Sequence, residues 1–574
     1  MPTLNWIGKE AVINHHLEVP FHLLKDVPDL GCGDPGAGNL IVEGDNLVAL
    51  KALLPYYKGR VKCICIDPPY NTGNEGWAYN DNVNSPAIRK WLGETVGKEG
   101  ETLDRHDRWL CMMAPRLALL REFLTEDGSV FVCLDDNEVH MLRCLMDEVF
   151  GSQNFVAQMI WEGAFKNDAR QIGVNHEYVV VYAKNRKNLP REWEIPKEGA
   201  DEVLREVARL KKLHGDDHEA ASEDLAGWFR ANKAKPCFAN RRFRYIDARG
   251  AYKEDDPTAP GGRKFNLKDP RNGNAIPLRA NRGWAFDQET FNRMMEEGRI
   301  TFVSPTSVMV RRYFHETDTV TPQSVFYQPT RSASERLEKI IGADKFEFPK
   351  DETVLQGLIR MATNPGDLVM DSFAGSGTTA HAVLKMNAAN RDAALPRRFI
   401  LVEMEPGIAT GITRERVRRV AEGYTNAKGE KVPGLGGSFR FARLGEAVFD
   451  EHGRIRESVR FAELARHVYF TETGEPLPRE RVSARLPLLG IHRGRAVHLL
   501  YNGILKDRSI GGGNALCRET LRAILDLNAE VTDGPEGRGV EQTVVYGTSQ
   551  RLAPARLKRE GIVFKQIPYA IRDK

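Results

Sequence analysis

The 574-residue sequence lacks several features that would assign it to a specialised class of protein. It has no apolar run of about 18 residues, the length that a membrane-spanning helix needs. Its first ten residues, MPTLNWIGKE, lack the apolar core of a signal peptide. The eight cysteines are scattered and form no CxxC pair, so neither a zinc site nor a disulfide framework is expected. We therefore predict a cytoplasmic protein that holds no metal.

A strong excess of charge of either sign is also missing. The 82 Lys and Arg residues nearly balance 79 Asp and Glu residues, for a net charge of +3. This balance neither requires nor excludes a nucleic-acid partner, because binding uses local clusters of charge. The composition, 41% hydrophobic and 28% charged, is typical of a globular protein. At roughly 100–200 residues per domain, the length predicts two to four domains.

Short apolar runs alternate with helical patterns in two separate stretches of the chain, 39–184 and 336–428. Such alternation predicts an α/β fold with a parallel sheet covered on both faces. The intervening stretch, 185–335, is rich in Gly, Pro, Arg and aromatic residues and is interpreted as a separate, irregular inserted module. We treat residues 1–38 as an N-terminal arm and 429–574 as a C-terminal mixed α/β domain of unknown role.

The sharpest local feature is Asp67-Pro68-Pro69-Tyr70, directly after the apolar run Val61–Ile66. Ligands of α/β sheets bind at the carboxyl ends of strands, where this loop would lie. The two prolines stiffen the loop and leave its carbonyls free to accept hydrogen bonds from a ligand. A carboxylate, a carbonyl and an aromatic ring together can grip a flat ring that carries an amino group. A plain Pro-Pro turn with a capping Asp is the alternative.

A second feature lies at a strand-to-helix junction and reads Asp371-Ser372-Phe373-Ala374-Gly375-Ser376-Gly377-Thr378-Thr379. Gly375 and Gly377 allow a tight turn and close approach of a ligand to the backbone. Thr378 follows Gly377 where a P-loop would have lysine, which disfavours nucleotide hydrolysis. The next strand ends at Glu403, an acid suited to accept hydrogen bonds from ribose hydroxyls. Together these features predict a nucleoside-binding site.

With these two motifs in this order, the sequence resembles the adenine-N6 DNA methyltransferases of the beta group, above all the modification subunits of type III restriction–modification systems. The likeness covers roughly residues 38–425. Further matching motifs are Glu43-Gly44-Asp45-Asn46-Leu47, Asn71-Thr72-Gly73-Asn74, Leu134-Asp135-Asp136-Asn137-Glu138, His176-Glu177-Tyr178 and Phe348-Pro349-Lys350. The resemblance implies a Rossmann-like, circularly permuted S-adenosylmethionine-dependent methyltransferase sheet, in which a target-recognition module (185–335) separates the catalytic loop from the cofactor loop.

The resemblance also implies roles for single residues. Asp67, Pro68, Pro69 and Tyr70 would hold a flipped adenine. The cofactor S-adenosylmethionine would be bound by Asp45, Asp67, Lys350, Asp371, Phe373, Ala374, Gly375, Gly377, Thr378 and Glu403. Within this set, Asp45 would meet the adenine amino group of the cofactor, Glu403 its ribose, and Lys350 its methionine carboxylate. The sequence departs from the family after Lys350, where Asp351-Glu352-Thr353 stands. Asp45 could instead cap the helix that starts near Asn46. Asp135 and Asp136 could cap the helix after Asn137. His176 could be a histidine with a structural role at the start of a strand.

The inserted module supplies basic residues suited to duplex DNA, since phosphate contacts provide affinity and a few side chains read base edges. The candidates are Arg241, Arg242, Arg244, Arg263, Lys264, Arg311 and Arg312. Each of them could equally be a solvated surface charge. The predicted partners are double-stranded DNA, a second copy of the chain and a restriction (helicase-nuclease) or other defence-system subunit. The alternative functions are an N4-cytosine DNA methyltransferase and a DNA-recognition subunit that guides a partner nuclease. Asp rather than Ser at position 67 favours adenine.

Overall fold

The structure of the protein is a computed structural model. It describes residues 3–34, 36, 38–72, 105–164, 171–278, 280–329, 331–390, 395–426, 429–450, 455–456, 458–477, 483, 486–500, 513–532 and 539–567. Gly73 and Asn74 of the motif that follows the catalytic loop lie outside these ranges. The chain divides into two compact units, Met1–Arg191 with Gln323–Lys574, and Glu192–Pro322. Across the described ranges, no helix combines the length and apolar character needed to cross a membrane.

A ten-stranded mixed sheet forms the centre of the larger unit. In chain order its strands are β1 (His22–Asp26), β2 (Leu40–Glu43), β3 (Val61–Ile66), β4 (Leu124–Leu134), β5 (Phe155–Glu162), β6 (His176–Ala183), β7 (Val325–Tyr327), β8 (Leu368–Asp371), β9 (Arg398–Glu403) and β10 (Arg440–Ala447). Their order across the sheet is β1-β10-β2-β9-β8-β3-β4-β6-β5-β7. The six strands from β10 to β4 are parallel, and β1 and β6 run antiparallel to their neighbours.

Helices cover this sheet, and the sequence explains why its central strands are buried. The strands β2, β3, β8 and β9 read as near-continuous apolar runs, which suits parallel strands covered on both faces. The helices of the larger unit are Lys9–Val12, His15–Glu18, Asn46–Tyr57, Arg105–Phe123, Val139–Met146, Arg331–Ile341, Glu352–Ala362, Thr378–Ala389, Pro406–Ile408, Glu415–Glu422, Phe461–Thr473, Arg518–Thr532 and Pro554–Arg559. The predicted α/β architecture with a largely parallel centre is confirmed.

Three stretches of chain outside the predicted α/β ranges contribute to the same sheet, and one of them is β7, which lies within the expected inserted module and pairs in parallel with β5. β1 lies within the expected N-terminal arm, where it pairs with β10 as an edge strand. Trp6, Val12, Val19 and Phe21 of this segment are buried in the main core. β10 lies beyond residue 428 and pairs in parallel with β2. The sheet therefore extends past the boundaries drawn from the sequence, because β1 and β7 are only five and three residues long and the eight residues of β10 do not alternate regularly between apolar and polar.

The smaller unit, expected to be irregular, has its own sheet and core. Helices Ala200–His214 and His218–Ala231 pack together, close to the helices that charged, periodic stretches of the sequence predict over 201–213 and 222–233. Four antiparallel strands follow, in the order Ile300–Ser304, Ser307–Tyr313, Ala251–Asp255 and Tyr245–Ile246. A helix, Gln288–Glu296, and the strand pairs Ile195–Pro196 with Thr319–Val320, Thr258–Ala259 with Gly283–Trp284, and Leu267–Lys268 with Ala275–Ile276 complete the unit. The strands are mostly two residues long, which is why periodicity did not reveal them.

A second, four-stranded sheet lies near the C-terminus. Its order is Leu488–His492, Arg495–Leu499, Gln542–Gly547 and Ile562–Gln566, and the last three strands are parallel. The sequence places strands near 496–501, 543–546 and 562–566; of these residues, Tyr501 lies outside the described ranges. A buried carboxylate, Glu472, joins this sheet to the Phe461–Thr473 helix by accepting hydrogen bonds from Arg495, Tyr546 and Lys565.

Candidate active site

The candidate residues of both motifs meet at the carboxyl edge of the large sheet. β3 ends at the Asp67 loop, and its neighbour β8 ends at Asp371 and the glycine turn, with Val369 paired to Cys63 and Met370 to Ile64. β9, next to β8, ends at Glu403. β2, next to β9, leads to Asp45. Four adjacent parallel strands thus bring segments more than 300 residues apart to one edge.

The predicted catalytic loop, Asp67–Tyr70, is held in place partly through a carbonyl that the sequence analysis left free. Trp109 Nε1 donates a hydrogen bond to the Pro69 carbonyl over 2.7 Å. The Trp109 ring is fully buried, and a buried indole N–H needs an acceptor. The expectation that the loop carbonyls are all free for a ligand is therefore wrong for Pro69. Trp109 lies in the Arg105–Phe123 helix and belongs to no recognised motif, so the sequence gave no signal for this contact.

Behind the loop, Asn71 adopts a left-handed backbone with φ of 59°. Its side-chain amide donates to the Arg105 carbonyl over 2.9 Å and to the carboxylate of Glu138. Glu138 is fully buried and lies 2.7 Å from His106 Nδ1. A non-glycine residue with positive φ persists where its surroundings hold it, and such residues cluster at functional sites. These contacts hold the exit of the catalytic loop.

The Asp67 carboxylate faces a lysine and a second acid. Lys350 Nζ lies 3.4 Å from Asp67 Oδ1 and donates to Glu177 Oε2 over 2.7 Å. Glu177 Oε2 also accepts a hydrogen bond from the Tyr70 hydroxyl over 2.7 Å, and Lys350 donates to that hydroxyl as well. The Lys350 ammonium lies 4.5 Å from the centre of the Tyr70 ring. Lys350 therefore lies beside the catalytic loop, and Glu177 joins a site to which the sequence analysis did not assign it.

Burial and neighbouring charges together set the pKa values of Asp67, Lys350 and Tyr70. It raises the pKa of Asp67 to about 6, while the nearby Lys350 ammonium acts in the opposite direction. Burial alone would lower the pKa of Lys350, but the Asp67 and Glu177 carboxylates outweigh it and the pKa is raised. Burial raises the pKa of the Tyr70 hydroxyl well above its usual value, so that this hydroxyl stays a donor at neutral pH. At pH 7, Asp67 is therefore a carboxylate next to a charged lysine.

The glycine turn after β8 is closed by two acids. Asp371 accepts hydrogen bonds from the Phe373 amide over 3.0 Å and from the Thr379 hydroxyl over 2.6 Å. Glu403 Oε2 accepts one from the Gly375 amide over 2.9 Å. Burial raises the pKa of Asp371 to about 7 and that of Glu403 to about 8. Both side chains thus help to shape the turn in addition to lying at the predicted cofactor site.

Arg416 supports the same turn from behind. This fully buried arginine donates to the hydroxyls of Ser376 and Thr378, each over 2.8 Å, and lies 3.2 Å from His381 Nδ1. The Thr378 hydroxyl therefore points toward Arg416. Burial lowers the pKa of Arg416 to about 10, which still leaves it charged at neutral pH. A single arginine in an amphipathic helix has no sequence signature, so this support was not foreseen.

A crevice at the carboxyl edge of the sheet is lined by residues of both motifs. Its lining is Cys65, Ile66, Asp67, Cys133, Phe346, Phe348, Lys350, Leu355, Asp371, Phe373, Ala374, Gly375, Ser376, Thr378 and Thr379. Gly375 and Gly377 have φ of 49° and 76°, which keeps the turn tight. Phe348 also has positive φ, 53°, a strained conformation for an aromatic residue. Apolar rings, a tight glycine turn and nearby carboxylates suit a sulfonium cofactor that carries adenosine.

Asp45 and His176 show their alternative structural roles, whereas neither Asp135 nor Asp136 caps the Val139–Met146 helix, whose N-cap residue is Glu138. Asp45 caps the Asn46–Tyr57 helix by accepting from the Leu47 and Val48 amides over 3.0 and 3.1 Å, and it pairs with Arg116 at 3.3 Å. Asp135 accepts from the Asn137 amide over 2.9 Å, and Asp136 accepts from the Tyr178 hydroxyl over 2.9 Å. His176 Nε2 lies 2.8 Å from the same hydroxyl. Capping by Asp45 leaves its predicted contact with the cofactor as a proposal.

The predicted DNA-binding residues of the smaller unit fall into two groups. Arg241, Arg242 and Arg244 line one concavity of about 600 Å³ together with Arg230, Lys253, Glu254, Phe229, Phe238, Tyr245, Met309 and Ala226. Outside its lining, Arg263 pairs with Asp287 at 2.6 Å, and Lys264 is exposed. Arg311 donates to Thr301 and Asp247, and Arg312 pairs with Asp255 at 3.3 Å. The structure thus brings three of the seven candidates to one surface.

Known proteins are similar to this sequence over most of its length. Residues 61–414 match a family model described as DNA methylase. The chain is 30% identical over 486 residues to the Mod subunit of the type III restriction-modification enzyme EcoP15I of Escherichia coli, covering 78% of this chain and 73% of that one. It is also 30% identical over 442 residues to the EcoPI Mod subunit of Escherichia phage P1, covering 70% and 63% of the two chains.

A solved putative DNA modification methylase from Thermus thermophilus, complexed with S-adenosyl-L-methionine, matches 70% of this chain and 99% of that chain, with 12% identity and a TM-score of 0.30. The chain spans 73% of the EcoP15I subunit but less than two thirds of the EcoPI subunit. The predicted DNA methyltransferase and its cofactor, S-adenosylmethionine, are confirmed. The chain belongs to the DNA methylase family.

Proposed function

We propose that this chain transfers a methyl group from S-adenosylmethionine to N6 of an adenine extruded from duplex DNA, at one short target sequence. The observation that carries the proposal is the adjacency of β3 and β8, which places the Asp67 loop beside the glycine turn at one sheet edge. Methyl transfer depends on holding donor and acceptor in line more than on a strong base. Adjacent strand ends satisfy that requirement.

The residues of the catalytic loop would grip the target base. Asp67 and the Pro68 carbonyl would accept the two hydrogens of the amino group, and the Tyr70 ring would stack on the base. Holding both hydrogens would leave the nitrogen lone pair free to accept the methyl group, and one of the two protons would leave as the new N–C bond forms. Burial raises the pKa of Asp67 only to about 6, so its carboxylate is ionised at neutral pH and can accept hydrogen bonds. Removing a base from the stack costs a few kcal/mol, which contacts in this pocket would offset.

The remaining edge residues would hold the cofactor. When bound, S-adenosylmethionine supplies an electrophilic methyl group on sulfur. Phe373, Ala374, Gly375 and Gly377 would lie along it, Glu403 would accept from its ribose hydroxyls, and Asp45 from its adenine. Lys350 and Asp371 line the same crevice. Since Asp371 and Thr378 are also bonded inside the turn, we propose that they act mainly by shaping it.

The smaller unit would recognise the target sequence. Its concavity presents five cations, Arg230, Arg241, Arg242, Arg244 and Lys253, beside one acid, Glu254. The Arg241 guanidinium lies 4.8 Å from the Phe238 ring centre, and that of Arg244 lies 5.1 Å from the Tyr245 ring centre. Guanidinium groups held over rings lose little freedom on binding phosphate, which favours affinity. We propose that this concavity contacts the DNA backbone.

The order of the motifs supports a circularly permuted methyltransferase domain, in which the catalytic strand precedes the cofactor strand in the chain. By analogy with the type III Mod subunits, we propose that the protein works in the cytoplasm in a restriction–modification or related defence system. A restriction subunit and a second copy of the chain are its proposed partners. The region after residue 447 is proposed to serve one of these contacts.

Single-molecule sequencing with base-modification detection tests the proposal. DNA is taken from a methylation-free host that expresses the protein or its Asp67→Ala variant. We expect N6-methyladenine within one motif for the unchanged chain and none for the variant. N4-methylcytosine would overturn the choice of base. Unmodified DNA, from a protein that binds S-adenosylmethionine in calorimetry, would replace the methyltransferase with the guide role.

A further inference from the structure

Glu177 connects parts of the active site that are far apart in the sequence. It is the second residue of β6, and its Oε2 atom accepts hydrogen bonds from the Tyr70 hydroxyl and from Lys350 Nζ, each over 2.7 Å. Lys350 in turn lies 3.4 Å from Asp67. One carboxylate oxygen therefore holds both the aromatic ring of the catalytic loop and the cation nearest to its acid.

We propose that Glu177 is a positioning residue, which fixes the Tyr70 ring for the target base and keeps the Lys350 ammonium beside Asp67. The inference rests on the proposed methyltransferase reaction at this site. Neither side chain would hold this place by itself, since the lysine stem is flexible and a tyrosine ring in a loop can turn. A carboxylate on a paired strand provides a rigid reference point for both.

The surroundings of Glu177 support this rigidity. β6 is paired on both sides, to β4 and β5, and Glu177 is in register with Trp161. Trp161 is almost fully buried and its Nε1 donates to the Gln328 carbonyl over 2.8 Å. The Lys350 ammonium lies 5.7 Å from the Trp161 ring centre and 4.5 Å from that of Tyr70. Two rings and a carboxylate therefore surround the ammonium.

The same arrangement sets the charge of Asp67. The charged and titratable groups that face it are Lys350, Glu177, Tyr70, Cys133 and Asp371. Burial raises the pKa of Asp67 to about 6, Lys350 lowers it, and the negative charge of Glu177 raises it. Removing the charge of Glu177 should therefore lower the pKa of Asp67, and removing that of Lys350 should raise it. Two neighbouring variants are thus expected to shift one titration in opposite directions.

The test is kcat/KM between pH 5 and 8.5, on unmethylated plasmid DNA that carries the target motif, because this ratio reports the pKa values of the free enzyme. Methylation by the unchanged protein should fall as pH drops through about 6, where Asp67 becomes protonated. Glu177→Gln should lower the rate and move this acid limb to lower pH by about half a unit or more. Lys350→Gln should move it to higher pH.

Three further variants make the outcome decisive. Asp67→Asn should show a low rate without the limb near pH 6, whereas any limb from Asp371 or Glu403, whose pKa values are about 7 and 8, should stay; if the limb near pH 6 or full activity remains, the proposed catalytic role of Asp67 fails. Glu177→Asp should restore the position of the limb. Glu162→Gln, a carboxylate on β5 bonded to Asn175 instead, should leave the limb unmoved. A uniform loss in Glu177→Gln with an unchanged limb, or no loss, would overturn the positioning role while leaving the methyltransferase itself intact.

Discussion

The polar residues at the carboxyl edge of the large sheet differ from those of the smaller unit in how far they are exposed to solvent. Asp371 and Glu403 at the edge are 5% and 1% exposed, and each accepts hydrogen bonds from the turn that it closes. In the smaller unit, the Arg242 and Arg263 side chains are 69% and 64% exposed, and each pairs with one carboxylate. Burial fixes the first set in place, whereas solvent screens the second.

This difference determines how strongly a substitution should act. A buried polar group that loses its partner costs about 1–3 kcal/mol, whereas an exposed ion pair contributes about 0–1 kcal/mol. Changes at the sheet edge should therefore have large effects on the reaction. Changes in the smaller unit should weaken DNA binding by degrees and in a salt-dependent manner.

The largest effect is expected from Asp67→Ala. Losing the carboxylate removes an acceptor for the amino hydrogens of the base, so methylation should fall by about a hundredfold to a thousandfold, on the scale of an oriented catalytic group. The side chain is 20% exposed and lies in a loop, so the fold should stay intact. Incorporation of labelled methyl groups measures the rate, and circular dichroism measures the fold. Full activity in this variant would reduce the Asp67 loop to a plain turn.

Next in size is Gly375→Val, which is aimed at the cofactor. Gly375 has φ of 49°, and a β-branched residue is strained there and fills space beside the turn. Calorimetry should show loss of S-adenosylmethionine binding. The matched control is Gly59→Ala, since Gly59 has φ of 66° but no atom within 4 Å of an added Cβ, and it lies before β3, away from the turn. Unchanged cofactor affinity in Gly375→Val would remove the glycine turn from the cofactor site.

The sequence predicted the sheet edge far better than the smaller unit, and the comparison explains why. Continuous apolar runs mark parallel strands, and parallel strands bring their carboxyl ends to one edge, so Asp67, Gly375 and Glu403 could be placed together. Contacts between side chains follow no such rule. Glu177, Trp109 and Arg416 were missed because their roles depend on partners 35 to 173 residues away.

The basic residues of the smaller unit could be predicted as a class but not individually. Their seven candidates share one composition signal, yet only the fold decides that Arg241 and Arg244 meet Lys253 in one concavity while Arg311 bonds to Asp247 and Thr301. The two-residue strands that create this arrangement are too short for periodicity to predict. Experiments on this unit are therefore needed to tell which of the seven basic residues bind DNA.

The combined change Arg241→Gln, Arg242→Gln and Arg244→Gln should weaken DNA binding without affecting the cofactor. If each arginine contacts one phosphate, the slope of log affinity against log salt should become shallower by about 0.9 per contact, or nearly 3 in all. Fluorescence anisotropy with duplex DNA at several salt concentrations measures the slope. A slope equal to that of the unchanged protein would exclude the concavity from the DNA-binding surface, whatever happened to methylation.

The smallest effect is expected from Arg263→Gln, the matched control outside the concavity. Arg263 is exposed and pairs with Asp287, which itself caps the Gln288–Glu296 helix through the Thr290 amide over 2.9 Å. The cap remains when the arginine is lost, so the free energy of unfolding should change by less than about 0.5 kcal/mol. The salt slope should also stay unchanged. A change in slope one third as large as that of the triple variant would mean that DNA binding depends on the total surface charge of this unit. The two regions would then differ in the burial of their polar residues, and the shape of the concavity would not matter.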